Sequence, residues 1–185
     1  MNERPTAREP DTRSTGEPTG EPTGAPATGA PATGKPTARP GRLRWVRIAR
    51  RLDASPERVY RAWADPDEMT RWFPLRIEGS LAPGTRSELI WSRERTWIDV
   101  LAAESNRRFV FRWPWLADDS YQTTVTITIL PAGNGSRVML EDGPFDIDVP
   151  GVLEAFEEAL AGWGEAIAHL RAQLDFFVDL RTEDH

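Results

Sequence analysis

Few side chains in this 185-residue chain could do chemistry, and their spacing limits what that chemistry could be. There is no cysteine, which excludes thiol nucleophiles, disulfides and thiolate metal sites. Histidine occurs only at positions 169 and 185. His169 stands four residues after Glu165, a spacing that brings two side chains together along a helix; it reads as a surface ion pair before an acid–base couple. No His, Asp or Glu grouping has metal-ligand spacing. No G-x-S-x-G elbow, Walker loop or G-x-G-x-x-G turn is present. No catalytic residue, metal or cofactor is therefore assigned. Acids fall close together at Asp118-Asp119, Glu141-Asp142 and Asp146/Asp148. Glu141 is the one polar residue singled out for a pocket, because a carboxylate beside an apolar cavity has a raised pKa and can trade protons. Asp99 and Arg112 read as a cross-strand pair on a solvent face.

These residues need elements to position them, and the last element is the clearest. Leu153, Phe156, Leu160, Trp163, Ile167, Leu170, Leu174 and Phe177 follow one another at intervals of three and four. That spacing predicts one long amphipathic helix over about Pro150 to Val178. Gly162 and Gly164 flank Trp163 in its middle, each at a cost of about 1 kcal/mol relative to Ala. Three explanations stay open: a backbone packed close by, a bend, or space kept beneath Trp163.

Upstream, strand periodicity covers Arg44 to Leu52. Ser55-Pro56-Glu57 then reads as a helix start, with Val59, Ala62 and Trp63 on its apolar face. Asp65-Pro66-Asp67-Glu68 reads as a second start with a capping box, followed by Met69, Trp72 and Phe73. Short strands follow over Arg76 to Ser80, Ser87 to Ser92 and Trp97 to Ala103. A strand carrying Phe109, Phe111 and Trp113 on one face comes next. Tyr121 to Leu130 is β-rich, and Asn134-Gly135 lies in a hairpin loop before Val138 and Leu140. Adjacent strands joined by hairpins imply a curved antiparallel sheet.

The first 41 residues differ from the rest. They hold 8 of the 16 prolines and 6 of the 14 glycines and contain no Trp, Tyr, Phe, Leu, Ile or Val. A Pro/Gly/Thr-rich tail over residues 1–42 is expected to stay disordered, because it has no apolar surface to bury. A domain over 43–180 and a frayed end at 181–185 complete the organisation. Residues 1–42 carry six basic and five acidic side chains, and the rest 17 and 24. An acidic domain is a poor nucleic-acid binder, and the arginines at 42, 44, 47, 50 and 51 read as a solvated strand face. No run is long and apolar enough to span a bilayer and no secretory h-region opens the chain, so a cytoplasmic location is expected.

The order strand, two helices, antiparallel strands and long terminal helix resembles the helix-grip fold of the START-like (SRPBCC) superfamily, an α+β fold. Within it the chain is similar to the Hsp90 ATPase activator homologue-like family. The resemblance rests on RRLDASPERVYRAWADPDEMTRWF, NRRFVFRW, SRVMLEDGPF and GWGEAIAHLRAQLD, and it covers about Trp45 to Leu180. It implies a cavity between the concave sheet and the terminal helix. The residues mapping there are Leu89, Trp91, Phe111, Trp113, Tyr121 and Val125 from the sheet and Phe156, Leu160 and Trp163 from the helix. Trp72, Phe73 and Phe145 map near its mouth. The same aromatics could equally fill a core. Co-chaperone members engage their chaperone through an additional N-terminal domain, and this chain has only the Pro/Gly tail there.

The leading expectation is a non-catalytic START-like domain that binds a small apolar molecule. The alternative is a protein-interaction module, co-chaperone-like or regulatory, presenting Glu154, Glu157, Glu158 and Glu165 to a protein partner. An enzyme of cyclase or hydrolase type ranks third. No oligomeric state is read from the sequence.

Overall fold

Ser55 and Asp65 begin two helices in succession, as their side chains dictate. In this computed structural model, which describes residues 41–116 and 119–181, the Ser55 hydroxyl accepts from the Arg58 backbone N–H at 3.4 Å. That caps α1 (Pro56–Ala64). Asp65 ends α1 and caps α2 (Pro66–Met69), its Oδ1 accepting from the Asp67 and Glu68 N–H groups at 2.9 and 3.3 Å. Only half of the expected capping box forms. The Asp65 N–H donates to Arg61 O, and the Glu68 carboxylate pairs with Arg61 and Arg71 instead. Val59, Ala62, Trp63, Met69 and Trp72 are buried by these helices. Residues 1–40 lie outside the described residues, and so does the expected disorder of the tail.

Seven strands form one antiparallel sheet in the order β1-β7-β6-β5-β4-β3-β2. They are β1 (Leu43–Leu52), β2 (Arg76–Glu78), β3 (Arg86–Ile90), β4 (Arg95–Glu104), β5 (Arg108–Pro114), β6 (Gln122–Ala132) and β7 (Gly135–Asp146). The β6–β7 hairpin is tighter than the loop expected from Pro131 to Ser136. Ala132 pairs with Gly135, and Gly133 takes the first corner position at φ 62°, where a side chain would be strained. Register shifts at Arg44/Val46 and Val100/Ala102 bend the sheet and turn Leu101 out to solvent. Inward residues alternate along each strand: Leu89, Ile98 and Val100, Phe109 and Phe111, Val125, Ile127 and Ile129, Val138 and Leu140 are all buried. On the outer face Asp99 lies opposite Arg112, yet its bonds go to Arg86, which donates to both of its oxygens at 2.7 and 2.9 Å. That contact, with Arg112 adding to it, holds the Asp99 carboxyl below its ordinary range despite some burial.

The terminal helix α3 (Val152–Phe176) has 25 residues, about 37 Å of helix. It packs against β1 and β7 and touches α1. Its buried face differs from the expected stripe. Val152, Ala155, Ala159, Trp163, Ala166, Ile167, Leu170 and Leu174 are buried, whereas Leu153, Leu160 and Phe177 are exposed and Phe156 is half-buried. A strict 3.5-residue spacing drifts about 20° per heptad around a straight helix. North of Trp163 the large residues therefore slide off the core side, and small alanines take their place and let the helix lie close to the sheet. Beyond α3 the chain turns at Phe177. Arg181, assigned to the frayed end, is held instead: its guanidinium donates to Thr70 O at 2.7 Å and Pro74 O at 3.0 Å and pairs with Asp179.

Candidate functional site

The space between the sheet and α3 is filled at its centre by rings. Trp63 and Trp72 meet edge to face with centroids 4.7 Å apart. Trp163 lies 5.4 Å from Trp113, 5.7 Å from Phe73 and 6.2 Å from Phe111. What stays open is a cleft of about 530 Å³ on one flank of this cluster. Phe73, Trp91, Trp113, Trp115 and Trp163 form its apolar lining, with Ser92, Arg93, Glu94, Arg95, Thr96, Pro114, Glu158 and Gly162 completing it. A smaller cleft of about 320 Å³ adjoins it, sharing Phe73, Trp91, Ser92 and Gly162 and running on to Glu165, His169 and Arg181.

Three of the indoles are fixed by their N–H groups. Trp91 Nε1 donates to Phe73 O at 3.0 Å, Trp115 Nε1 to Thr123 Oγ1 at 2.7 Å, and Trp163 Nε1 to Asp142 Oδ2 at 2.8 Å. An indole tied down by its one donor has lost most of its rotational freedom, so these rings are preorganised walls.

The sequence-derived residues divide into four groups. Phe73, Trp91, Trp113 and Trp163 line the cleft. Trp72, Leu89, Phe111, Val125 and Phe145 are fully buried core, and Phe156 packs on Phe145 at 5.6 Å. Tyr121 is structural: its hydroxyl donates to Pro144 O and accepts from Asp146 N. Two residues stand elsewhere. Leu160 is 50 % exposed and is absent from the cleft lining, because Glu158 and Gly162, on the other flank of α3, face the opening. Glu141 points out of the sheet and pairs with Arg47 at 2.6 Å.

The inward carboxylate is its neighbour, Asp142, which is 0 % exposed. Val138 and Leu140 are both buried, so counting by twos along β7 places residue 142 inside. Burial pushes the Asp142 carboxyl up to about 6, against the pull of the Thr123 hydroxyl, the Trp163 indole and the Gly143 N–H. Its Oδ1 has no hydrogen bond of good geometry, so the Thr123 contact is a loose one. Trp115, not among the expected lining residues, continues the parity of Phe109, Phe111 and Trp113 and lines the cleft. His169 pairs loosely with Glu165 at 3.7 Å, as its spacing implied. Among the described residues no cluster of three or more potential metal ligands occurs, and no helix is long and apolar enough to cross a membrane.

Gly162 and Gly164 are not explained by close packing. A methyl group built at either would meet nothing within 4 Å. Gly162 instead lies where the two clefts join. Gly162→Ala is expected to raise stability by about 1 kcal/mol through helix propensity alone, read as a higher urea midpoint. An unchanged or lower midpoint would show a packing role that the open space denies.

The fold recurs in solved structures. Protein MLL2253 from Mesorhizobium loti superposes with a TM-score of 0.63 at 24% identity, over 71% of this chain and 96% of that one. DynU16, described as a putative protein in the dynemicin biosynthetic locus, gives 0.64 at 21% identity. That match covers 75% of this chain but only 49% of DynU16. The Aha1 dimer from Colwellia psychrerythraea gives 0.63 at 14% identity, over 71% and 96%. At these identities the likeness is one of fold. No curated protein matches this chain. The sequence itself carries the family, since residues 53–175, from the turn before α1 almost to the end of α3, match the model of the Activator of Hsp90 ATPase homolog 1-like proteins, and the chain belongs to that family.

Proposed function

We propose that this domain binds a small, largely apolar molecule with a flat ring system in the cleft beside Trp163, without converting it. The observation that carries the reading is the convergence of Phe73, Trp91, Trp113, Trp115 and Trp163, from the α2–β2 connection, the ends of β3 and β5, and α3, on one opening of about 530 Å³. Sites for small organic molecules span roughly 300–1,000 Å³ and are lined mainly by apolar and aromatic groups with a few polar ones. Ser92, Thr96 and the rim charges would orient a polar end. Asp142, the strongly perturbed carboxyl among the described residues, stands behind Trp163 and does not line the opening, which favours binding over catalysis.

The test is a fluorescence titration with N-phenyl-1-naphthylamine, a neutral aromatic probe, excited through the tryptophans. Saturable energy transfer from the indoles is expected. Gly162→Phe, whose side chain has open space to enter, should fill the cleft and weaken binding by about tenfold or more while the far-UV circular dichroism is kept. Absence of saturation, or binding indifferent to Gly162→Phe, would overturn the reading.

A further inference from the structure

Two walls of the cleft hang from one buried pair of side chains. Trp115 Nε1 donates to Thr123 Oγ1 at 2.7 Å, and Trp163 Nε1 donates to Asp142 Oδ2 at 2.8 Å. Thr123 and Asp142 project inward from adjacent strands, β6 and β7, and both are buried. Having accepted from Trp115, the Thr123 hydroxyl has one proton left to offer, and the Asp142 carboxylate is the group it stabilises. Trp115 is bonded to Thr123 and Trp163 to Asp142, and between Thr123 and Asp142 there is a loose contact, not a well-formed hydrogen bond. Oδ1 is left without a well-formed bond, so the buried carboxylate is held mainly from one side.

We propose that the Thr123–Asp142 pair is a proton-sensitive hinge of the cleft, in which ionised Asp142 holds the Trp163 and Trp115 walls in the binding arrangement and protonated Asp142 releases them. An ionised acceptor makes hydrogen bonds roughly twice as strong as a neutral one. Adding the proton therefore weakens the hold on Trp163 and removes the reason for the Thr123 hydroxyl to keep its orientation. Burial places the change at about pH 6.

The groups around Asp142 are uncharged: Val46 lies opposite it on β1, Val125 on β6, and Trp163 covers it from α3. The charged side chains of these elements lie elsewhere. Arg47 and Glu141 pair on the outer face, and Glu158, Glu165 and His169 line the clefts on the open flank of α3. The effect on ligands rests on the binding function proposed above; the hinge itself does not.

The experiment follows the tryptophan indole N–H signals of the ligand-free full chain by nitrogen-15 NMR from pH 8 to pH 4.5. His169→Gln serves as the background, so that the imidazole beside the clefts does not contribute. Trp163→Phe and Trp115→Phe assign the two signals. Both should move with a shared midpoint at about 6. Asp142→Asn should leave both flat, and Thr123→Val should silence Trp115 while Trp163 still titrates. Signals that stay still in the parent, lack a common midpoint, or titrate unchanged with Asp142→Asn would overturn the hinge. With N-phenyl-1-naphthylamine, coupling to one proton predicts affinity falling by up to about tenfold for each pH unit below the midpoint, and no slope with Asp142→Asn. If the indoles titrate as expected but the probe never binds, the hinge stands and the binding function falls.

Discussion

Trp163→Ala is expected to remove about 5 kcal/mol of stability or more, enough to abolish cooperative unfolding in a domain of this size. Trp163 is 3 % exposed and packs on Trp63, Phe73, Phe111 and Trp113, which come from α1, the α2–β2 connection and β5. Removing a buried Trp or Phe side chain costs roughly 3–5 kcal/mol because rings fixed on several elements cannot collapse into the space. A further 1–3 kcal/mol or so comes from Asp142, whose oxygen would lose its donor while still buried. Trp163→Phe separates the two effects, keeping most of the ring volume and losing only the donor. Urea unfolding followed by circular dichroism gives the measurement. A loss below about 2 kcal/mol for the alanine variant would mean that the rings around Trp163 close up after all.

Asp142→Asn is expected to stabilise the domain at neutral pH and leave it unchanged in acid. The sign follows from the direction of the shift. In the folded protein burial pushes the carboxyl up to about 6, above its ordinary value of 3.8. Well below pH 3.8 both states hold the proton and Asp142 costs nothing as a charge. Between about 4 and 6 the unfolded chain gives up its proton first, so stability falls as pH rises, by about 1.4 kcal/mol per unit. Above 6 the cost is constant at about 3 kcal/mol. Asparagine offers Trp163 Nε1 a neutral, weaker acceptor but never charges, so at pH 7.5 it should recover about 2 kcal/mol, or a few degrees in Tm. Thermal unfolding at pH 4 and 7.5 decides it. Equal melting temperatures for the two proteins at pH 7.5 would show that the buried carboxylate is better solvated than its surroundings suggest.

These two residues also show where the sequence could be read and where it could not. The elements were legible because local signals agree with the fold. Ser55 and Asp65 cap the two short helices, the alternation of Val125, Ile127 and Ile129 defines β6, and the long apolar repeat announces α3. The cleft was legible in part, since aromatics on facing elements must meet, and four of the proposed lining residues do line it.

The misses came from facing, not from element type. On β7 a shift of one residue exchanges the two faces, and the general argument for a carboxylate near the mouth selected Glu141, where parity from Val138 and Leu140 selects Asp142. On α3 the largest apolar side chains, read by spacing, point to the wrong core side. Ala155 and Ala159 mark the right one instead, because close approach to the sheet favours small residues, and Leu160 was left in solvent. The filling of the cavity's centre by Trp63, Phe73 and Trp163 depends on ring orientations that no spacing encodes.

The strand order has a consequence for how the molecule comes to exist. Strands β2 to β6 each pair with the strand next in sequence, but β1 pairs only with β7, Leu43 meeting Asp146 and Leu52 meeting Ser136. The first strand made is thus joined to the last, and the loop it closes contains all the other strands. Long-range pairings of this kind raise contact order and slow folding. A growing chain can build the β2 to β6 meander early but must hold β1, with Val46 and Leu52 exposed, until β7 has been synthesised. Assembly of the sheet is then a late, concerted event, with α3 laid across the seam between β1 and β7 as the step that completes it.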